Sequence, residues 1–152
     1  MKIKTLGLFV IPATCYFMVA CSSDSTTAVP LETPIGDISG GWSIFEVAIS
    51  SNDECSGTSG YDITIIQSDN TITATSADGG KVSGSLSDDA LKLSGTRPEG
   101  IGTVTYSSIT GTVAADCSSM SLKTTWSYAE PGFSCSGTGT MDANRTSGGT
   151  SC

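Results

Sequence analysis

From Ile38 onward, apolar and polar residues alternate with a period of two in short runs separated by turn chemistry. That period marks strands with one buried face. Eight such runs follow one another. The first covers residues 41–50 and the second 61–67, where Tyr61, Ile63 and Ile65 share a face. Ser68-Asp69-Asn70 turns the chain into a third run, 71–76, with Ile72 and Ala74 set against threonines, and Asp78-Gly79-Gly80 turns it into a fourth, 81–86. Ser87-Asp88-Asp89 precedes the fifth, 90–95, with Leu91 and Leu93 inward, after which Arg97-Pro98-Glu99-Gly100 reads as a loop. In the sixth run, 101–114, the apolar parity slips between Tyr106 and Ile109, which predicts a β-bulge at Ser107-Ser108. The seventh, 120–128, puts Met120, Leu122, Thr124, Trp126 and Tyr128 on one face, and the eighth spans 135–145.

Eight short antiparallel strands joined mostly by tight turns suit an up-and-down barrel, because closure removes the edges that an open meander would present. The predicted fold is therefore all-β, a single disulfide-stapled, eight-stranded, up-and-down antiparallel β-barrel over residues 38–152. In such a meander the end of strand one and the start of strand eight share one rim, the top. The connection between strands six and seven and the end of strand eight share the other, the bottom. Cys55 and Cys135 then fall together at the top, and Cys117 and Cys152 together at the bottom. Topology thus predicts the bridges Cys55 to Cys135 and Cys117 to Cys152, out of the three pairings that four cysteines allow. No CxxC spacing occurs, so zinc is not indicated.

The first residues have a different character. Lys2 and Lys4 precede an apolar stretch, residues 5–20, too short to span a bilayer comfortably, and residues 1–20 read as a secretory signal peptide. It ends in Met18-Val19-Ala20-Cys21, which resembles the bacterial lipobox. The resemblance implies that Cys21 is lipidated with palmitate-type acyl chains and becomes the first mature residue. Small residues before Cys21 also suit an ordinary signal peptidase, which would leave that cysteine unmodified. Residues 21–37, polar at Ser22, Ser23, Asp24 and Ser25 and carrying Pro30 and Pro34, read as a tether. Two or three acyl chains hold a protein stably on a membrane. By resemblance to the sorting pattern of such lipoproteins, Ser22 after the cysteine implies the outer membrane of the cell envelope.

Composition narrows the function. Removing the signal takes Lys2 and Lys4 from the 7 basic residues and leaves 5 against 15 acidic ones, a formal charge of -10. Such a surface repels phosphate backbones, so no nucleic-acid partner is expected. Histidine is absent, which removes Ser-His-Asp and Cys-His catalysis and histidine metal sites. The expectation is a protein that is not an enzyme and has no cofactor and no metal. Asp53, Glu54, Asp78, Glu99 and Glu130 fall in top loops, but no Asp-x-Asp-x-Asp-Gly run gathers them for calcium, and they read as a solvated rim.

Gly40-Gly41-Trp42 opens strand one, and Arg145 closes strand eight beside it. The arrangement resembles the calycin superfamily of lipocalins, fatty-acid-binding proteins and avidins, whose barrels begin with Gly-x-Trp and pack a late Arg or Lys over that tryptophan. The short strands and missing C-terminal helix depart from true lipocalins. The resemblance implies that Trp42 and Arg145 form the barrel floor and that a ligand enters at the top. There Tyr61, Tyr106, Trp126, Tyr128 and Phe133 gather, as the lining of a pocket for a small hydrophobic ligand or as plain core. Glu46 shares the parity of Trp42 and Ile44, so its carboxylate is expected inside the barrel, needing a partner such as Tyr106 or a ligand. The expected function is a lipid-anchored envelope protein that binds a small molecule or touches an envelope protein partner through its top rim. The alternative is a structural envelope protein with a filled barrel.

Overall fold

The structure, a computed structural model, describes residues 36–149. The expected signal peptide, Cys21, nearly all of the tether and Cys152 lie outside the described residues. Eight strands, β1 (Gly40–Ser50), β2 (Gly57–Ser68), β3 (Thr71–Ser76), β4 (Lys81–Ser87), β5 (Ala90–Glu99), β6 (Gly102–Val113), β7 (Ser119–Glu130) and β8 (Phe133–Arg145), close into one barrel in chain order. Every neighbouring pair is antiparallel, β8 with β1 included. The inward residues of the alternation form the core, with Trp42, Ile65, Ile72 and Leu91 almost wholly buried. Asp69 and Asp88 turn the chain at the bottom rim with φ of 52° and 53°, a left-handed conformation that aspartate tolerates better than most side chains.

The bulge falls where the parity slip puts it. Tyr106 faces Trp126 and Ser108 faces Thr125, so Ser107 is the extra residue on β6. The same interruption displaces the β5 register between Leu93 and Gly95. Several strands run longer than their alternation alone indicates, β7 among them at both ends. β2 starts at Gly57 rather than Tyr61, and β8 at Phe133 rather than Cys135. β5 continues through Arg97 and Pro98 to Glu99, where a loop was expected. Pro98 fits there because β4 ends its pairing at Lys81, opposite Thr96; beyond that point β5 has no β4 neighbour to miss the absent N–H.

The closing pair β1 and β8 is fixed at both ends. At the bottom, Trp42 lies opposite Arg145, and the guanidinium carbon sits 5.6 Å from the indole ring centre. Arg145 Nη2 donates to the carbonyls of Asp37 at 3.0 Å and Ser39 at 2.6 Å, while Trp42 Nε1 donates to the Ile38 carbonyl at 3.0 Å. Ile38 is fully buried, so the chain entering the barrel folds across its floor. Gly40 is required in this layer: its φ is +136°, and a Cβ there would stand 2.1 Å from the Ser147 carbonyl oxygen. At the top, Cys55 and Cys135 form the predicted disulfide, 80 residues apart in sequence. Cys117 is buried and disulfide-bonded, and its expected partner Cys152 lies outside the described residues.

Replacing Cys55 and Cys135 by alanine is expected to lower the unfolding free energy by roughly 4 kcal/mol, the chain-entropy value for a loop of that length. Urea unfolding of the double variant checks this. An unchanged midpoint would mean that β1–β8 pairing closes the barrel without the bridge.

Candidate functional site

Halfway up the barrel, four inward side chains from four strands meet. Glu46 continues the face of Trp42 and Ile44 on β1, Tyr61 that of Ile63 and Ile65 on β2, Arg97 that of Leu91 and Leu93 on β5, and Tyr106 that of Val104 on β6. Glu46 is only 4% exposed. The Tyr106 hydroxyl donates to its Oε2 at 2.9 Å and reaches Oε1 at 3.2 Å. The hydroxyls of Tyr61 and Ser59 approach Oε2 at 3.3 Å and 3.5 Å. Arg97 lies 4.5 Å above the Tyr61 ring and 3.8 Å from Glu46 Oε2, but its close hydrogen bond runs to Glu99 at 2.8 Å. A further ion pair at 3.9 Å reaches Asp78 in the turn between β3 and β4.

Burial pushes the Glu46 carboxyl above its ordinary value, opposed by the Tyr106 hydrogen bond and the Arg97 charge. Burial likewise raises both phenols, Tyr106 to about 12 and Tyr61 well above the ordinary range. Near neutral pH they are therefore hydrogen-bond donors, not bases.

This layer separates two different spaces. Below it, aliphatic side chains from all eight strands pack closely and leave a void of about 50 Å³. Above it, a cup of about 380 Å³ is walled by Tyr106, Trp126, Tyr128, Phe133 and the Cys55–Cys135 bridge, with Glu46 in its wall. The cup exists because inward positions near the top carry small residues. Trp126 and Tyr128 lie against Gly137 and Gly102, where a Cβ would come within 2.8 Å and 2.5 Å of the rings. Ala48 faces the same space from β1. Trp126 Nε1 donates to the Thr138 carbonyl at 3.1 Å, and the Tyr128 hydroxyl to Glu130, so both polar ends are satisfied.

Of the six residues expected to line a pocket, Glu46, Tyr106, Trp126, Tyr128 and Phe133 do line the cup. Tyr61 does not; its ring borders the lower void and only its hydroxyl joins the layer. Tyr106 and Trp126 are at once buried core residues and part of the cup's wall. Trp42 and Arg145 stand at the opposite end, within the floor. Arg97 escaped the sequence reading because Pro98 and Gly100 made its neighbourhood look like a loop. The signal was present: Leu91, Leu93, Gly95 and Arg97 continue a single parity. Two residues of the acidic rim, Glu99 and Asp78, stay exposed but pair with Arg97. Among the described residues, no group of three or more Cys, Asp or Glu converges as a metal site. Compared with known proteins, the chain matches no family model, and none of the curated proteins matches it.

A carboxyl whose folded pKa is raised contributes stability that is present below its ordinary value of 4.5 and is lost as pH rises through the raised value. Asp37, Asp78 and Asp116, lowered by hydrogen bonds from Ser39, Ser76 and Ser118, act oppositely, with stability lost only as pH falls below the ordinary 3.8. The two windows are separate. Between neutral pH and about 4.5, the stability of the wild type relative to Glu46→Gln should therefore grow as pH falls. Melting both proteins across that range checks it, and a pH-independent difference would show that Glu46 titrates normally.

Proposed function

We propose that this chain is a lipid-anchored β-barrel of the bacterial cell envelope that holds a small, mostly apolar molecule in its upper cup. The observation that carries the reading is the cup itself, about 380 Å³, with four aromatic side chains and one buried carboxylate in its wall. That size and that mixture of apolar surface with few polar groups are what small-molecule sites have in common. A filled barrel with no ligand has support in the lower half alone, where the void is about 50 Å³. Gly40, Trp42 and Arg145 support a lipocalin-like ancestry for the barrel and a closed lower end.

The anchor rests on the signal-like residues 1–20 and the lipobox-like run ending in Cys21. Both ends of the described chain, Gly36 and Gly149, belong to the bottom rim, since the strand number is even. A lipid on Cys21 would therefore hold the floor toward the membrane and leave the cup and its rim facing away, available to a ligand or an envelope partner. We assign no catalytic role.

Native mass spectrometry of the protein purified from its host is expected to show a retained small molecule, and Ala48→Trp, which fills the cup, to remove it. A wild-type protein that carries nothing and behaves like Ala48→Trp would favour the filled-barrel reading. For the anchor, Cys21→Ser should abolish incorporation of labelled palmitate and release the protein from the membrane fraction. Retention with full labelling would place the lipid elsewhere.

A further inference from the structure

We propose that the molecule held in the cup is an organic cation, an amine with an apolar body whose ammonium group lies against Glu46. This rests on the reading of the cup as a ligand site and adds the charge of its occupant. The first argument is the balance of the walls. Glu46, Glu54 and Glu99 line the cup, and Arg97 is the one cationic residue that lines it. That guanidinium is shared among three carboxylates, at 2.8 Å from Glu99, 3.8 Å from Glu46 and 3.9 Å from Asp78. Its charge is committed, and the cup remains negative.

Glu46 supplies an independent argument. An ionised carboxylate offers four lone-pair positions. Oε2 takes the close Tyr106 hydroxyl together with Tyr61 and Ser59, whereas Oε1 only shares the Tyr106 proton at 3.2 Å. A carboxylate this buried gains most from another donor, and the cup is the space from which one can arrive. A neutral apolar guest would leave Oε1 as it is. An anion would meet three carboxylates. An ammonium satisfies Oε1 and is compatible with the rest of the wall, because the faces of Trp126, Tyr106 and Tyr128 attract cations through their quadrupoles. The acidic residues Asp53 and Glu130 near the same rim add a field that favours the approach of a cation.

Three probes of nearly equal shape separate the possibilities: 2-phenylethylamine, 2-phenylethanol and 3-phenylpropanoate, titrated calorimetrically into the full mature protein near neutral pH. The amine should bind at least about tenfold tighter than the alcohol, and the carboxylate weakest of all. Added salt should weaken the amine and leave the alcohol unchanged. In Glu46→Gln the amine should lose most of its advantage over the alcohol, keeping only what Glu54 and Glu99 supply. Because Glu46 belongs to a buried layer, Glu54→Gln with Glu99→Gln, both on exposed rim residues, provides a second variant, expected to lose amine affinity severalfold and keep that for the alcohol. Equal or tighter binding of the alcohol or the carboxylate overturns the charge assignment and leaves the ligand site standing. Absence of binding by all three, in a protein that also retains no molecule from its host, overturns both.

Discussion

Pairing of β1 with β8 is the contact on which the remaining features depend. It converts a meander with two exposed edges into a closed surface, and its register decides which residues face inward. A slip of one residue would exchange the two faces of β1, putting Phe45 and Ile49 inside and Trp42, Ile44 and Glu46 in water. The observed register leaves Phe45 and Ile49 more than half exposed, so apolar burial on β1 alone does not select it strongly. Selection comes from the two ends. Arg145 over Trp42 fits only if those residues stand opposite each other, and the Cys55–Cys135 bridge holds the other end of the same pair of strands. Floor and staple are two clamps on one register.

That register places a carboxylate where the fold alone has no use for it. Burying a charge costs several kcal/mol even when it is paired, and replacing such a group by a well-packed apolar one is often neutral or stabilising. Glu46 is partly compensated by Tyr106, Tyr61 and the more distant Arg97, and this compensation occupies inward positions on three other strands. Immediately above it the inward residues shrink to Ala48, Gly102 and Gly137, so closeness of packing is given up in the same region. A polar burial and a packing deficit in one place, in a barrel otherwise filled with Ile, Leu and Met, are what a site selected for something other than stability looks like.

Much of this was legible before any coordinates. Alternation with period two gives the eight strands, since a strand half in water must alternate; the parity slip before Ile109 gives the bulge, and the rim logic of a meander gives the bridge between Cys55 and Cys135. The inward position of the carboxylate follows from parity as well; parity left Tyr106 or a ligand as its partner, and the structure brings Tyr106 to it. What escaped was the upper half of β5. Pro98 and Gly100 have strong local turn character, yet β5 outlasts its neighbour β4, so a proline there forfeits no ladder bond and the strand continues. Arg97 went with it. The division of the interior into a packed half and an open half was also missed. It depends on which inward positions stand at which height, and the glycines of β8 disclose that only once the register with β7 is known.

Unequal strand length explains why one arginine can serve the whole layer. β3 and β4 have 6 and 7 residues, against 12 in β7 and 13 in β8. Neither β3 nor β4 contributes a residue to the cup, whose wall comes from β1, β2 and β5 to β8 and from the connections after β1 and β5. The upper end of β5 therefore borders the low side of the wall, and from there Arg97 reaches inward to Glu46, across to Asp78 in the β3–β4 turn and along its own strand to Glu99. Were β4 as long as β7, it would pair with β5 beyond Thr96, exclude Pro98 from its place and cover the approach that Arg97 takes to Asp78. The short strands thus admit the one cation of the cup at its lower side, while Trp126, Tyr128 and Phe133 stand on the taller strands opposite. The charge of the cup is uneven for the same geometric reason that its wall is.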